Sequence, residues 1–262
     1  MYSTKNHTNP PGTRLLVAHR GYSLVCPENT LPSFGAAIAA GADEIEFDLW
    51  PTCDGELVVC HDPTVDRTSN GKGRISSLTW EEISRLDAGA WKGEGWRGVK
   101  FCRFDDVLEL FANRIKMNIH VKSELDIGKP ISESTIRKIV NLIEAYKCKN
   151  AVYISGDVDV LEVAGKVAPD IVRNCLGGLN PMNIVMNAIK YKCKRLQFFK
   201  PYFNKDMIDE AHAAGIFCNI YFADDEKEAQ EYLELGIDAI LSNATGAILP
   251  ITRQYPAERQ AP

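Results

Sequence analysis

The chain contains eight cysteines but no Cys-x-x-Cys pair. That spacing is what zinc and dithiol redox motifs require, so neither class is indicated. Thiols such as Cys60, Cys175 and Cys218 sit inside apolar runs and read as buried free cysteines. There is also no block of lysines and arginines, and the formal net charge is −5. Nucleic acid and anionic membrane surfaces are therefore not expected partners, and a phosphate site must be a local positive spot on an acidic protein. No run approaches the ~18 apolar residues of a membrane span, so no integral membrane segment is expected. Residues Met1 to Arg14 lack the apolar stretch of a signal peptide; they read as a loose polar tail, which favours a cytoplasmic location. Oligomeric state is not legible. Histidine is scarce, with five in 262 residues. His7 lies in the tail and His212 on a helix, leaving His19, His61 and His120 near strand ends.

What is present is a rhythm. Apolar runs at Leu15–His19, Glu44–Asp48, Lys116–Lys122, Val152–Ser155, Ile171–Leu176, Arg195–Phe199, Ile216–Tyr221 and Ala239–Ser242 read as strands. Helical patterns lie between them, and Gly41, Gly215 and Gly236 each follow one in the C-cap position. Eight βα repeats point to an α/β fold, a closed (β/α)8 TIM barrel, spanning residues 14–252 between tails at 1–13 and 253–262. The segment from about 63 to 103 breaks the rhythm. It reads as a small insertion between the second and third βα units that helps shape the substrate pocket. Inside it, Thr79 and Glu82 form a capping-box pattern for a short helix.

The polar residues gather at the strand exits, where barrel active sites form. His19 and Arg20 follow the first strand, a proton-transfer group beside an anion clamp. Glu46 and Asp48 end the second. Side chains alternate along a strand, so these two carboxylates share a face with Cα atoms roughly 6.5–7 Å apart, close enough to meet on one hard cation. Glu44 shares that face nearer the barrel floor. His61 and Asp62 follow the next apolar run. These are the parts of metal-assisted chemistry on a phosphate ester.

His19-Arg20-Gly21, Pro27-Glu28-Asn29-Thr30, Glu46-Phe47-Asp48 and His61-Asp62, in this order, resemble the glycerophosphodiester phosphodiesterase family. Weaker matching pieces, at Val121-Lys122, Gly215 to Asp225 and Gly236 to Ile240, extend the resemblance over roughly residues 14–250. It implies metal-dependent hydrolysis of a glycerophosphodiester, a small-molecule substrate, to sn-glycerol 3-phosphate and an alcohol. It further implies His19 and His61 as the acid/base pair, and Glu46 and Asp48 as ligands of one divalent ion. Arg20 and Lys122 are the candidate phosphate clamps, and Tyr221, where the family often has tryptophan, a candidate wall for glycerol. Which histidine is acid stays open.

The third strand departs from the family pattern. Where the family has a further glutamate ligand, this chain has His120. Three readings stand: a replacement ligand, a group behind the ligands with water filling the gap, or a weakened metal site. Glu124, two residues beyond Lys122, is a possible substitute carboxylate. With His120 as ligand, Mn2+ or Zn2+ joins Mg2+ and Ca2+ as a candidate, and metal affinity should fall as pH drops through the histidine range. Two rival functions remain, a catalytically weak phosphodiester-binding barrel and a phospholipase C-like phosphodiesterase.

Overall fold

The computed structural model of the chain describes residues 12–125, 128–178 and 180–262. Most of the expected N-terminal tail, residues 1–11, lies outside the described residues. Nine strands form among them: β1 (Leu15–Ala18), β2 (Glu44–Pro51), β3 (Leu57–Val59), β4 (Lys116–Val121), β5 (Val152–Gly156), β6 (Arg173–Leu176), β7 (Arg195–Phe199), β8 (Phe217–Tyr221) and β9 (Ala239–Ser242). Eight are parallel, in spatial order β1-β9-β8-β7-β6-β5-β4-β2, and β1 pairs with β2 to close the barrel. The expected strands all appear. β2 runs on to Pro51 because its outer end pairs antiparallel with β3, Leu49 facing Val59.

Helices α1 (Leu31–Ala39), α2 (Trp80–Ser84), α3 (Phe104–Phe111), α4 (Glu133–Ala145), α5 (Val158–Val167), α6 (Ile184–Lys190), α7 (Lys205–Ala213), α8 (Glu226–Leu235) and α9 (Thr245–Thr252) surround the barrel or fill its loops. α2 is the short helix of the insertion, with the Thr79–Glu82 capping box formed. The insertion lies between β3 and α3, so it interrupts the second βα unit before that unit's own helix. Gly236 ends α8 in the left-handed region at φ 105°, which favours glycine.

Alternation sorts β2 into two faces. Ile45, Phe47 and Leu49 point outward to the helices, where Phe47 meets Phe34 and Phe104. Each fully buried side chain of this kind contributes ~1.5–3 kcal/mol. Glu44, Glu46 and Asp48 point to the barrel axis and are also buried. Parallel pairing sets Glu44 beside Lys116, Glu46 beside Asn118 and Asp48 beside His120.

The lowest of the three is neutralised inside the barrel. The Arg195 guanidinium forks onto Glu44 at 2.7 and 2.8 Å, and Tyr153 donates its hydroxyl at 2.6 Å. Arg195 is stacked between the rings of Tyr153 and Phe217. Below this layer, the segment expected as a C-terminal tail crosses the barrel floor, where Arg253 forks onto Asp43 and Thr13 pairs with Pro256. All eight cysteines are free thiols, and only Cys53 is exposed. No described helix is long and apolar enough to cross a membrane.

Removing one member of the buried pair should be far worse than removing both. Arg195→Met leaves Glu44 charged without a cation and should destabilise the fold by roughly 3–5 kcal/mol. Arg195→Met with Glu44→Leu should recover most of that loss. Urea unfolding of the three proteins checks it; a single variant as stable as the parent would show that the pair does not matter.

Candidate active site

The strand C-termini open on a cavity of about 350 Å³. Eight residues singled out in the sequence line it: His19 and Arg20 from the end of β1, Glu46 and Asp48 from β2, His61 beyond β3, His120 and Lys122 from β4, and Tyr221 from β8. Residues more than a hundred positions apart reach one space because the closed sheet places their strand ends in a ring.

The first turn is built by backbone geometry. Arg20 adopts a left-handed φ of 56° and Gly21 follows at 79°. A Cβ on Gly21 would lie 2.3 Å from the Ser33 hydroxyl, so only glycine lets the chain turn here. The turn aims the Arg20 N–H at Glu46 Oε2, 3.0 Å away. Its side chain pairs with Glu28 at 2.8 Å and approaches Asp48 at 3.7 Å.

Each carboxylate of the β2 pair uses one oxygen for the scaffold and turns the other inward. Glu46 Oε2 accepts the Arg20 N–H, and Asp48 Oδ2 accepts the Asn29 amide at 2.8 Å. Asn29 thus anchors Asp48. Asp48 Oδ1 faces Lys122 Nζ at 2.9 Å and His120 Nδ1 at 3.1 Å, and Glu46 Oε1 lies 3.9 Å from the same nitrogen. Oxygen, oxygen and nitrogen donors of Glu46, Asp48 and His120 thus fall within 4.8 Å of one another, a set that fits one small divalent cation. Glu124 is not part of it. Its carboxylate lies beyond β4 and pairs with Arg74 and Lys129, which corrects the expectation of a substitute ligand.

The charges in this cluster are unevenly balanced. Burial pushes Asp48 up, but Lys122 and then His120 outweigh it and hold the carboxyl well below its usual range. No lysine or arginine side chain among the described residues pairs with Glu46. Burial, reinforced by Asp48, pushes Glu46 up to about 8. His120 is lowered to about 4 by burial and by Lys122. It is therefore neutral across the ordinary histidine range. The proton that competes with a cation near pH 7 sits on Glu46, which moves the expected pH window.

The two histidines are held differently. His19 Nδ1 lies 2.7 Å from Asn243 Oδ1. Asn243 donates its own amide to Asp224 Oδ2 at 2.7 Å, which fixes the amide's orientation. His19 Nδ1–H must then be the donor, leaving Nε2 unprotonated. Its pKa is lowered to about 3 by burial and by Arg20. His61 Nδ1 instead faces a carboxylate, Asp62 Oδ1, at 2.7 Å. Burial lowers His61, while Asp48 and Asp62 pull it up against Lys122 and Arg20. Tyr221 meets the His19 ring edge-on at 5.0 Å.

Asn243 and Asp224 had not been read this way. The backbone N–H groups of Asn243 and Ala244 both donate to Asp224 as well. The signal was available, since both are polar residues just past strand ends.

A barrel whose open end gathers histidines, an arginine, a lysine and a carboxylate pair is suited to chemistry on a phosphate ester. The sequence model of the Glycerophosphoryl diester phosphodiesterase family matches residues 19–247. A glycerophosphodiester phosphodiesterase of Caldanaerobacter subterraneus subsp. tengcongensis is 32% identical over 248 residues, covering 92% of this chain and 98% of its own. One of Bacillus altitudinis is 29% identical over 87% of this chain and 94% of its own. Among solved structures, an Oleispira antarctica phosphodiesterase in complex with the product sn-glycerol-3-phosphate is similar at a TM-score of 0.82 and 25% identity, covering 91% of this chain and 96% of that one. The chain belongs to the glycerophosphoryl diester phosphodiesterase family. It is a phosphodiesterase that hydrolyses glycerophosphodiesters.

The raised Glu46 carboxyl has a consequence for stability. Its folded pKa lies above the ordinary 4.5, so its contribution is full at acid pH and lost as pH rises through about 8. In chelator, Glu46→Gln should match the parent below pH 5 and exceed it by a few kcal/mol above pH 8. Thermal or urea unfolding at both pH values checks this. Equal stability at high pH would mean that Glu46 already has a compensating charge.

Proposed function

We propose that the protein converts glycerophosphodiesters to sn-glycerol 3-phosphate and an alcohol, with His61 as general acid and His19 as general base. The observation that carries the assignment is the difference between their partners. A carboxylate behind His61 favours imidazolium, which can give its Nε2 proton to the leaving alkoxide. A neutral amide behind His19 offers no such support, so its ring stays neutral with Nε2 free to accept the proton of the attacking nucleophile. The negative charge of a bound phosphodiester raises both pKa values from their unliganded positions.

Arg20 and Lys122 bind the non-bridging phosphate oxygens, Arg20 through its planar fork and Lys122 as a point charge. Tyr221 forms an apolar wall for the glycerol unit. Glu46, Asp48 and His120 would hold one divalent ion, Mg2+ or Ca2+ with Mn2+ or Zn2+ admitted by the nitrogen donor; it supplies polarisation of the phosphoryl oxygens. The buried Glu46 carboxyl, with no lysine or arginine side chain paired to it among the described residues, supports a cation at that point.

Release of glycerol 3-phosphate, assayed with and without chelator and then with a series of divalent ions, tests the reading. Activity should vanish with chelator and return with metal. No turnover with any ion would leave a phosphodiester-binding barrel. His61→Ala should slow alkyl diesters by at least ~10²-fold but spare a p-nitrophenyl ester, whose leaving group needs no proton. His19→Ala should slow both. The reverse pattern would exchange the two roles. His120→Glu should raise calcium affinity in calorimetric titration, because a carboxylate oxygen suits that ion better than imidazole; unchanged affinity would place His120 behind the ligands.

A further inference from the structure

The insertion is the part of the barrel mouth that the chemistry above leaves unused. Its residue Arg67 makes four hydrogen bonds to two carboxylates. It donates to Glu28 at 2.9 and 2.7 Å and to Asp62 at 2.7 and 3.0 Å. Asp62 is the partner of His61 at 2.7 Å, and Glu28 is the partner of Arg20 at 2.8 Å. One guanidinium therefore stands between two anions that would otherwise repel each other. The loop that carries it is itself tied down. Val65 N–H donates to the Gly73 carbonyl at 3.0 Å and Gly73 N–H to Asp66 at 2.8 Å. Val65 is fully buried against the insertion's own small core.

We propose that Arg67 is a positioning residue for the reaction: it pins Asp62 so that His61 keeps its Nδ1–H on the carboxylate and its Nε2 toward the leaving group. The inference rests on the reading of His61 as general acid. The geometry favours it over a merely structural ion pair on two grounds. Arg67 is 44% exposed, and exposed ion pairs contribute little to stability, so stability is a weak reason for four bonds. Both Asp62 oxygens are engaged by the fork, which leaves Oδ1 only one orientation toward His61. Arg67 also holds Asp62 at about 2, which keeps the carboxylate ionised behind the histidine at all working pH values.

The test uses the holoenzyme and two substrates, sn-glycero-3-phosphocholine and the p-nitrophenyl ester of glycerol 3-phosphate. Arg67→Ala should lower kcat on the alkyl ester by roughly tenfold or more, a part of the full acid contribution, and on the nitrophenyl ester by less than about threefold. Arg67→Lys should rescue little, because an ammonium cannot reproduce the fork. In 15N NMR at a pH where the His61 ring is neutral, the ring should change from the Nδ1–H tautomer to a mixture in both variants. Arg97→Ala, which removes an exposed pair within the same insertion, should behave as the parent. Equal losses on the two esters, full rescue by lysine, or an unchanged His61 spectrum would each overturn the proposal. His61→Ala separates this from failure of the underlying reading. If that variant shows no leaving-group dependence, the acid assignment falls; if it does and Arg67→Ala does not, only the role of Arg67 falls.

Discussion

Three carboxylates rise along one face of β2 toward the mouth of a closed barrel, and the structure is organised by how each is neutralised. Alternation places Glu44, Glu46 and Asp48 on the axis side, where burial makes an unpaired charge expensive. Glu44 meets Arg195 across the barrel. Asp48 meets Lys122 and, more distantly, Arg20. Glu46 receives a backbone N–H and, among the described residues, no lysine or arginine side chain. The lower charge is closed off as structure and the upper ones are left open to the cavity. The gap at Glu46 leaves a place that could take a cation, so one strand supplies both a buried ion pair and a candidate metal site.

The same economy holds around the mouth. Each histidine proposed for acid–base work is backed by a fixed acceptor, and each acceptor is fixed by something else: Asn243 by Asp224, Asp62 by Arg67. Oriented groups of this kind need no rearrangement when charge develops, which is what gives a preorganised site its leverage. The Glu28 carboxylate, shared between Arg20 and Arg67, connects the β1 turn to the insertion. The loops are thus held by ion pairs across the mouth, while the strands beneath them are held by apolar packing.

Much of this was legible in the chain. Strand positions followed from apolar runs and glycine caps, because both are set by local backbone preference. The eight residues that line the cavity could be named because polar residues at the ends of apolar strands mark the open end of a barrel, and the family resemblance implied which of them to expect there. Glu124 misled because alternation continues on paper past the point where β4 stops; the chain leaves the strand at Val121 and the side chain finds Arg74 instead. The pH window of His120 was misplaced because burial and the nearness of Lys122 are properties of the packed site.

By itself, the sequence determined the βα rhythm, the inward column of β2 and the family, since period, alternation and ordered motifs are carried by near neighbours in the chain. Only the tertiary structure decided who neutralises whom. Arg195 lies 151 positions from Glu44 and Asn243 lies 224 from His19, and nothing local joins them. Barrel closure brings them within hydrogen-bonding distance, and with that contact come the tautomer of His19, the isolation of Glu46 and the fork of Arg67. Those are matters of distance and dielectric, which a linear pattern does not contain.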